Sequence, residues 1–180
     1  MKMVYYVTNS VWRCRMRILG IDPGLAIVGW GIVEKRGFQC IPVACGAIRT
    51  PAHTKVEDRL LSIGRDMTAL IERYHPEEMA VEELFFTNNI TTGITVAEAR
   101  GVILASAAAK GLKISEYTPP QVKQAVVGYG KADKHQVIQM VTSILKLPAP
   151  PKPDDTADAL AIAICHAQCI TSRISPYYNN

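Results

Sequence analysis

Four carboxylates stand where they could act together. Asp22 follows the apolar run Ile18-Leu19-Gly20-Ile21 and precedes Pro23-Gly24, which places it at the carboxyl end of a strand, at the rim of a sheet. Taken alone, Asp-Pro-Gly is an ordinary turn opening. Glu82 interrupts the apolar strand Met79-Ala80-Val81, and alternation sets it on one face with Leu84 and sets Glu83 on the other. An acid in such a run is costly unless paired or metal-bound; the plainer alternative is that one of the two glutamates marks where the strand leaves the core. Asp154, Asp155 and Asp158 open a helix just after PAPPKP. Positions 155 and 158 share one face of the first turn, although aspartates there also cap amides and complement the helix dipole.

The conjunction says more than any member. Acids from the first strand, the central strand and the last helix gather where a mixed sheet collects functional groups. Their hard oxygens suit Mg²⁺ or Mn²⁺, and no His/Cys set with zinc spacing competes. Two ions about 4 Å apart would activate a water and stabilise the leaving 3′ oxygen in phosphodiester hydrolysis. Four acids without a cation would repel one another, so the set implies metal.

The elements that must position these acids are readable from pattern. RILGID, AIVGWGIVE and CIPVACGAIRT read as an antiparallel three-strand meander, parted by Pro23-Gly24 and Lys35-Arg36-Gly37. Apolar residues at 56, 60, 63, 67, 70 and 71 predict an amphipathic helix over 56–74, stopped by His75-Pro76. A strand over 78–86, an Ala-rich helix over 95–110 and the strand LKISEYTP follow, giving the order βββαβαβα. After Pro119-Pro120 come a short helix QVKQAVV, a Gly128-Tyr129-Gly130 break, a helix over 131–147 and a last helix over 154–172. The fold class is therefore α/β: a mixed five-stranded sheet, three strands antiparallel and then two parallel, with helices on both faces.

At 180 residues the chain fits one domain, expected over 16–172, with 1–15 a leader or remnant and 173–180 a tail. Composition, 48% hydrophobic and 20% charged, excludes disordered and fibrous classes. The longest apolar run, residues 159–165, is far short of a membrane span. Five cysteines without a CxxC pair, of which Cys165 and Cys169 are one helical turn apart in an apolar run and expected to be buried thiols, point to a reducing cytoplasm. The net charge of +4 falls to +1 once Lys2, Arg13 and Arg15 are set aside, so global charge argues little for nucleic acid. With the four acids occupied by metal, the remainder is 17 bases against 12 acids, which suits a polyanion.

RILGIDPG, AVEELFF, QVKQAVVGYGKADKHQV and DDTADALAIAICHA, in that order and spacing, resemble the corresponding stretches of RuvC-type Holliday junction resolvases, members of the RNase H-like superfamily. The resemblance spans nearly all of 16–172. It implies that Asp22, Glu82, Asp155 and Asp158 bind two Mg²⁺ or Mn²⁺ ions, leaving Asp154 as a cap, and that the chain is an endodeoxyribonuclease making paired symmetric nicks. It implies too that Lys123 and Lys134 lie by the site and are needed for cleavage, Lys134 being suited to stabilise charge on the phosphate. Lys131 adds a phosphate donor beside the glycine break. Phe85 is expected to stack on an unpaired base, with Asn88 and Asn89 in the adjoining loop also contacting DNA. Dimerisation through the Ala-rich helix, matching a two-fold junction, and work with the RuvA-RuvB branch-migration complex are further implications. The alternatives are another RNase H-like nuclease, of the ribonuclease H or RuvX/YqgF type, a junction-binding module without catalysis, or, much less well matched in length, an actin-like ATPase or sugar kinase.

Overall fold

The computed structural model describes residues 15–83 and 90–174. Three strands, β1 (Arg15–Asp22), β2 (Ile27–Arg36) and β3 (Gln39–Arg49), form the meander, followed by helix α1 (Val56–Tyr74). Then come β4 (Glu78–Glu82), α2 (Ile90–Ala109), β5 (Lys113–Tyr117), α3 (Pro119–Val127), α4 (Lys134–Ile144) and α5 (Asp154–Ile174). The sheet order is β3-β2-β1-β4-β5. β1 pairs antiparallel with β2 and parallel with β4, and β4 pairs parallel with β5, so the expected mixed sheet is the one formed. β1 and β4 therefore end at the same edge, with Asp22 and Glu82 as their last residues.

Alternation along the strands divides the core between the two faces. Leu19, Ile21, Met79 and Val81 pack with Ile63, Met67, Ile71, Ala99, Ile103 and Ala107, burying one face under α1 and α2. Ile18 and Ala80 pack with Leu160, Ile164, Val122 and Val141, burying the other under α3, α4 and α5. Glu78, Ala80 and Glu82, two residues apart, thus share the α5 face. The four described cysteines, Cys40, Cys45, Cys165 and Cys169, are free. No helix among the described residues is long and apolar enough to cross a membrane.

Several element ends differ from the sequence expectation for local reasons. β1 starts at Arg15, two residues early, because Arg15 pairs with Arg36 at the far end of the hairpin. β4 is described as far as Glu82, and the Glu83 N–H still donates to the Tyr117 carbonyl of β5 at 2.9 Å; Leu84, Phe85 and Phe86 lie outside the described residues. α2 begins at Ile90, five residues before the expected start. α3 takes both Pro119 and Pro120 into its first turn, where their missing N–H groups cost nothing, and Thr118 with Gln121 closes a capping box. α4 waits until Lys134, because Asp133 caps it in a second box with Gln136. It ends near Lys146, which is left-handed at φ 51°.

α5 lies unusually close to the sheet. A Cβ on Gly20 would come 2.1 Å from the Ala159 carbonyl oxygen, and one on Gly29 would come 2.0 Å from that of Asp155. Gly20 pairs across the hairpin with Gly31, whose Cβ would strike the Leu160 side chain, so a side-chain-free strip of β1 and β2 receives the helix. Gly20→Ala is expected to destabilise the protein by about 1–3 kcal/mol or more, since the obstacle is backbone that cannot rotate away; a lowered urea midpoint with an unchanged slope would show it.

Candidate active site

Asp22 ends β1, and its register partner on β2 is Gly29. Asp155 rests directly above Gly29, so the absence of a side chain at one strand position brings the first-strand acid and the helix acid together. Asp158 lies one turn further along α5 and shares a cavity of about 240 Å³ with Glu82, Lys123 and Lys134. The spacing along α5 and β4 is matched. Asp158 and His166 are roughly 12 Å apart along the helix, while Glu82 and Glu78 are roughly 13 Å apart along the strand. Asp158 faces Glu82 at one end and His166 bonds Glu78 at the other, so α5 runs antiparallel to β4.

Electrostatics shows that the four acids sense one another. The Asp22 carboxyl is pushed up to about 8 by burial first, then by the charges of Asp158, Glu82 and Asp155, with Lys134 opposing. Burial and Asp158 also raise Glu82, with Lys123 opposing. Asp158 is raised chiefly by burial, against the pull of Lys134, with Asp155 and Asp154 adding to the rise. Lys134, the first residue of α4, sets its Nζ 3.4 Å from Asp158 Oδ2 and 3.5 Å from Asp154 Oδ2. Burial disfavours its charge, but these two carboxylates outweigh that and hold its pKa above the usual lysine value.

Asp154 therefore departs from its expected role as a cap. It is the first residue inside α5, and its exposed carboxylate turns to Lys134. Asp22, Glu82, Asp155, Asp158, Lys123 and Lys134 are brought together at one edge. Lys131 is exposed in the turn before α4 and does not line the cavity. Phe85, Asn88 and Asn89 lie outside the described residues.

No three of the described His, Cys, Asp and Glu side chains close into a ready metal cage. Lys134 pairs with Asp158 at 3.4 Å. The donor set nonetheless fits a hard divalent cation: every donor is a carboxylate oxygen, and the unfavourable charge on Asp22 is what such a cation relieves.

Two supporting contacts had no expectation in the sequence. Arg100, on α2, donates from Nε to the Glu82 carbonyl oxygen at 3.3 Å and forms a close ion pair with Glu116 on β5. It thereby ties the backbone of the β4 acid to the neighbouring strand. On the inner side, buried His166 bonds Glu78 Oε2 through Nε2 at 2.6 Å and the Tyr117 hydroxyl through Nδ1 at 2.7 Å. The tautomer with Nε2 donating and Nδ1 accepting satisfies all three groups. His166 lies in the DDTADALAIAICHA stretch, where a lone histidine in an apolar run was the available signal.

The raised Asp22 pKa has a consequence for stability. An unfolded aspartate ionises near 3.8 and the folded one near 8, so between these values the folded state holds a proton that the unfolded state has released. Stability of the metal-free protein then falls as pH rises through that window. Asp22→Asn is expected to raise the melting temperature in EDTA at pH 8 and to leave it nearly unchanged at pH 4. Calorimetric scans at the two pH values measure the difference, and a lower melting temperature for the variant at pH 8 would contradict the repulsive cluster.

Comparison with known proteins agrees with this geometry. The family model for crossover junction endodeoxyribonuclease RuvC matches residues 18–166. A curated relative of that description from Desulfitobacterium hafniense is 57% identical over 155 residues, covering 86% of this chain and 94% of its own. Another from Heliobacterium modesticaldum is 58% identical over 156 residues, covering 87% and 96%. The solved structure of Thermus thermophilus RuvC superposes with a TM-score of 0.81 at 35% identity, covering 88% of this chain and 97% of that one. The same protein in complex with a Holliday junction substrate gives 0.83 at 35% identity, covering 88% and 96%. The chain belongs to the RuvC family of crossover junction endodeoxyribonucleases, with that family's RNase H-like fold.

Proposed function

We propose that this chain resolves four-way DNA junctions, as a cytoplasmic homodimer that nicks two opposed strands and leaves ligatable 5′-phosphate ends. The observation that carries this reading is the convergence of Asp22, Glu82, Asp155 and Asp158 on one sheet edge beside Lys123 and Lys134, in a chain of this family. Asp22, Glu82, Asp155 and Asp158 would hold Mg²⁺ or Mn²⁺, two ions per site, and bound metal supplies an activated water and charge stabilisation at the leaving 3′ oxygen. Lys123 and Lys134 supply ammonium groups to the phosphate. Arg100, by fixing the Glu82 backbone, keeps that carboxylate in place. Phe85, Asn88, Asn89 and Lys131 would also contact junction strands.

The dimer rests on α2. Ala99, Ile103 and Ala107 face the core, while Gly101, Ala105 and Ala108 remain exposed on the other side, which leaves a small-residue face for a second copy of α2. A two-fold pair of sites matches the two symmetric cuts a junction needs. Family membership supports cooperation with a RuvA-RuvB branch-migration complex.

Two experiments test this. On a synthetic four-way junction with Mg²⁺, strand nicking is expected to exceed that of the separate duplex arms, to vanish in EDTA, and to fall at least ~100-fold in Asp22→Asn while junction binding survives. Equal cutting of plain duplex, or preference for an RNA–DNA hybrid, would overturn the resolvase reading. Ala105→Arg is expected to shift the protein from dimer to monomer in sedimentation without lowering its helix content; an unchanged sedimentation coefficient would place the interface elsewhere.

A further inference from the structure

We propose that Arg59 forms a second anion subsite, which receives a backbone phosphate adjacent to the one held at the carboxylates. The inference rests on the nuclease reading above and extends it to a residue outside the acid and lysine set.

Two cavities flank the acid cluster, sharing α5 as a wall. The first holds Glu82 and Asp158 with Lys123 and Lys134. The second, about 390 Å³, lies between the turn from Gly24 to Ile27, α1 and α2, and it is lined by Arg59, Thr95 and Asp155. Asp155 and Asp158 are one helical turn apart, so a strand crossing α5 at the acids reaches into both spaces. A phosphodiester at the carboxylates carries another phosphate on either side of it. Lys123 and Lys134 stand on one side of the acids, at the phosphate being cut, and Arg59 stands on the other, where a neighbouring phosphate would lie.

Arg59 is built into this place. Its Nε donates to Thr50 Oγ1 at 2.8 Å, and that buried hydroxyl donates to the Leu25 carbonyl oxygen at 2.6 Å. The Thr50 N–H donates to the Ala26 carbonyl oxygen at 3.1 Å. The guanidinium is thus tethered by one edge to the turn that lines the cavity. Its terminal N–H groups have no carboxylate partner among the described residues. Arg17, Arg36 and Arg100, by contrast, are each engaged by a glutamate. Asp155 lines the same cavity and still forms no ion pair with Arg59. The cation therefore does not serve to neutralise that acid. A planar donor fork, oriented in advance and unpaired, matches a phosphate bidentately.

The test is a coupling experiment on four-way junctions, with Asp22→Asn as the common background to stop cutting. Each phosphate flanking the cut is replaced in turn by a neutral methylphosphonate, and affinity is compared for Arg59, Arg59→Gln and Arg59→Lys. Arg59→Gln is expected to weaken binding of the unmodified junction roughly tenfold and to lower the salt slope by about one. One methylphosphonate next to the cut is expected to weaken the Arg59 protein but to cost Arg59→Gln nothing further. Arg59→Lys retains the stem and charge, so it reports on the site even if the glutamine variant folds poorly; it is expected to keep the salt slope and recover part of the affinity. Additive losses at every flanking phosphate would overturn the subsite. Failure of the unsubstituted protein to cut any junction is a separate outcome that removes the nuclease reading and the subsite with it.

Discussion

The closeness of α5 to the sheet governs this molecule. Where Gly20 and Gly29 leave strand backbone uncovered, the helix backbone sits so near that a single methyl group would collide with the Ala159 or Asp155 carbonyl. Ordinary helix-on-sheet packing, spaced by side chains on both surfaces, would lift Asp155 and Asp158 away from Asp22 and Glu82. The strip without side chains turns two separate pairs of acids into one cluster. It also explains why the first turn of α5 bears acids: the helix N-terminus offers partial positive charge to carboxylates crowded there.

That cluster is unfavourable in isolation, and the surrounding structure holds it in place. Burial and like charge raise Asp22 well beyond the usual carboxylate range. Lys134 offsets part of this at one end, and its position follows from the Asp133 cap that starts α4 at that residue. Arg100 fixes the backbone of Glu82, and the buried Glu78–His166–Tyr117 network clamps the middle of α5 to β4 and β5. The clamp sits at the other end of the same helix–strand match that aligns Asp158 with Glu82. The like-charged edge is thus backed by well-satisfied polar contacts deeper in the fold.

The two faces of the sheet have different tasks. On one, α1 and α2 pack through Ile63, Met67, Ile103 and Ala107 and leave the small residues of α2 outward. On the other, α3, α4 and α5 enclose the lysines and acids. Arg100 links the faces, reaching from α2 to the carbonyl of a site residue, so that the surface proposed for a second subunit and the cavity proposed for DNA share one contact.

The sequence by itself determined the mixed sheet and the bounds of α1, and it pointed to the carboxylates that the fold gathers at one edge, although only the family resemblance preferred Asp155 to Asp154. Those features rest on local pattern: strand alternation, helical periodicity and an isolated acid after an apolar run. It left the ends of α2, α3 and α4 several residues adrift, because prolines at a helix start and a capping box shift boundaries without altering periodicity. It also left Asp154 as a cap, since one-dimensional spacing does not reveal Lys134 across the turn. Only the tertiary structure decided that Gly20 and Gly29 set the depth of α5, that His166 joins Glu78 and Tyr117, and that Arg59 and Arg100 stand beside the acids. Each of these contacts joins residues far apart in the chain, and their geometry depends on how closely the elements pack, which no local pattern encodes.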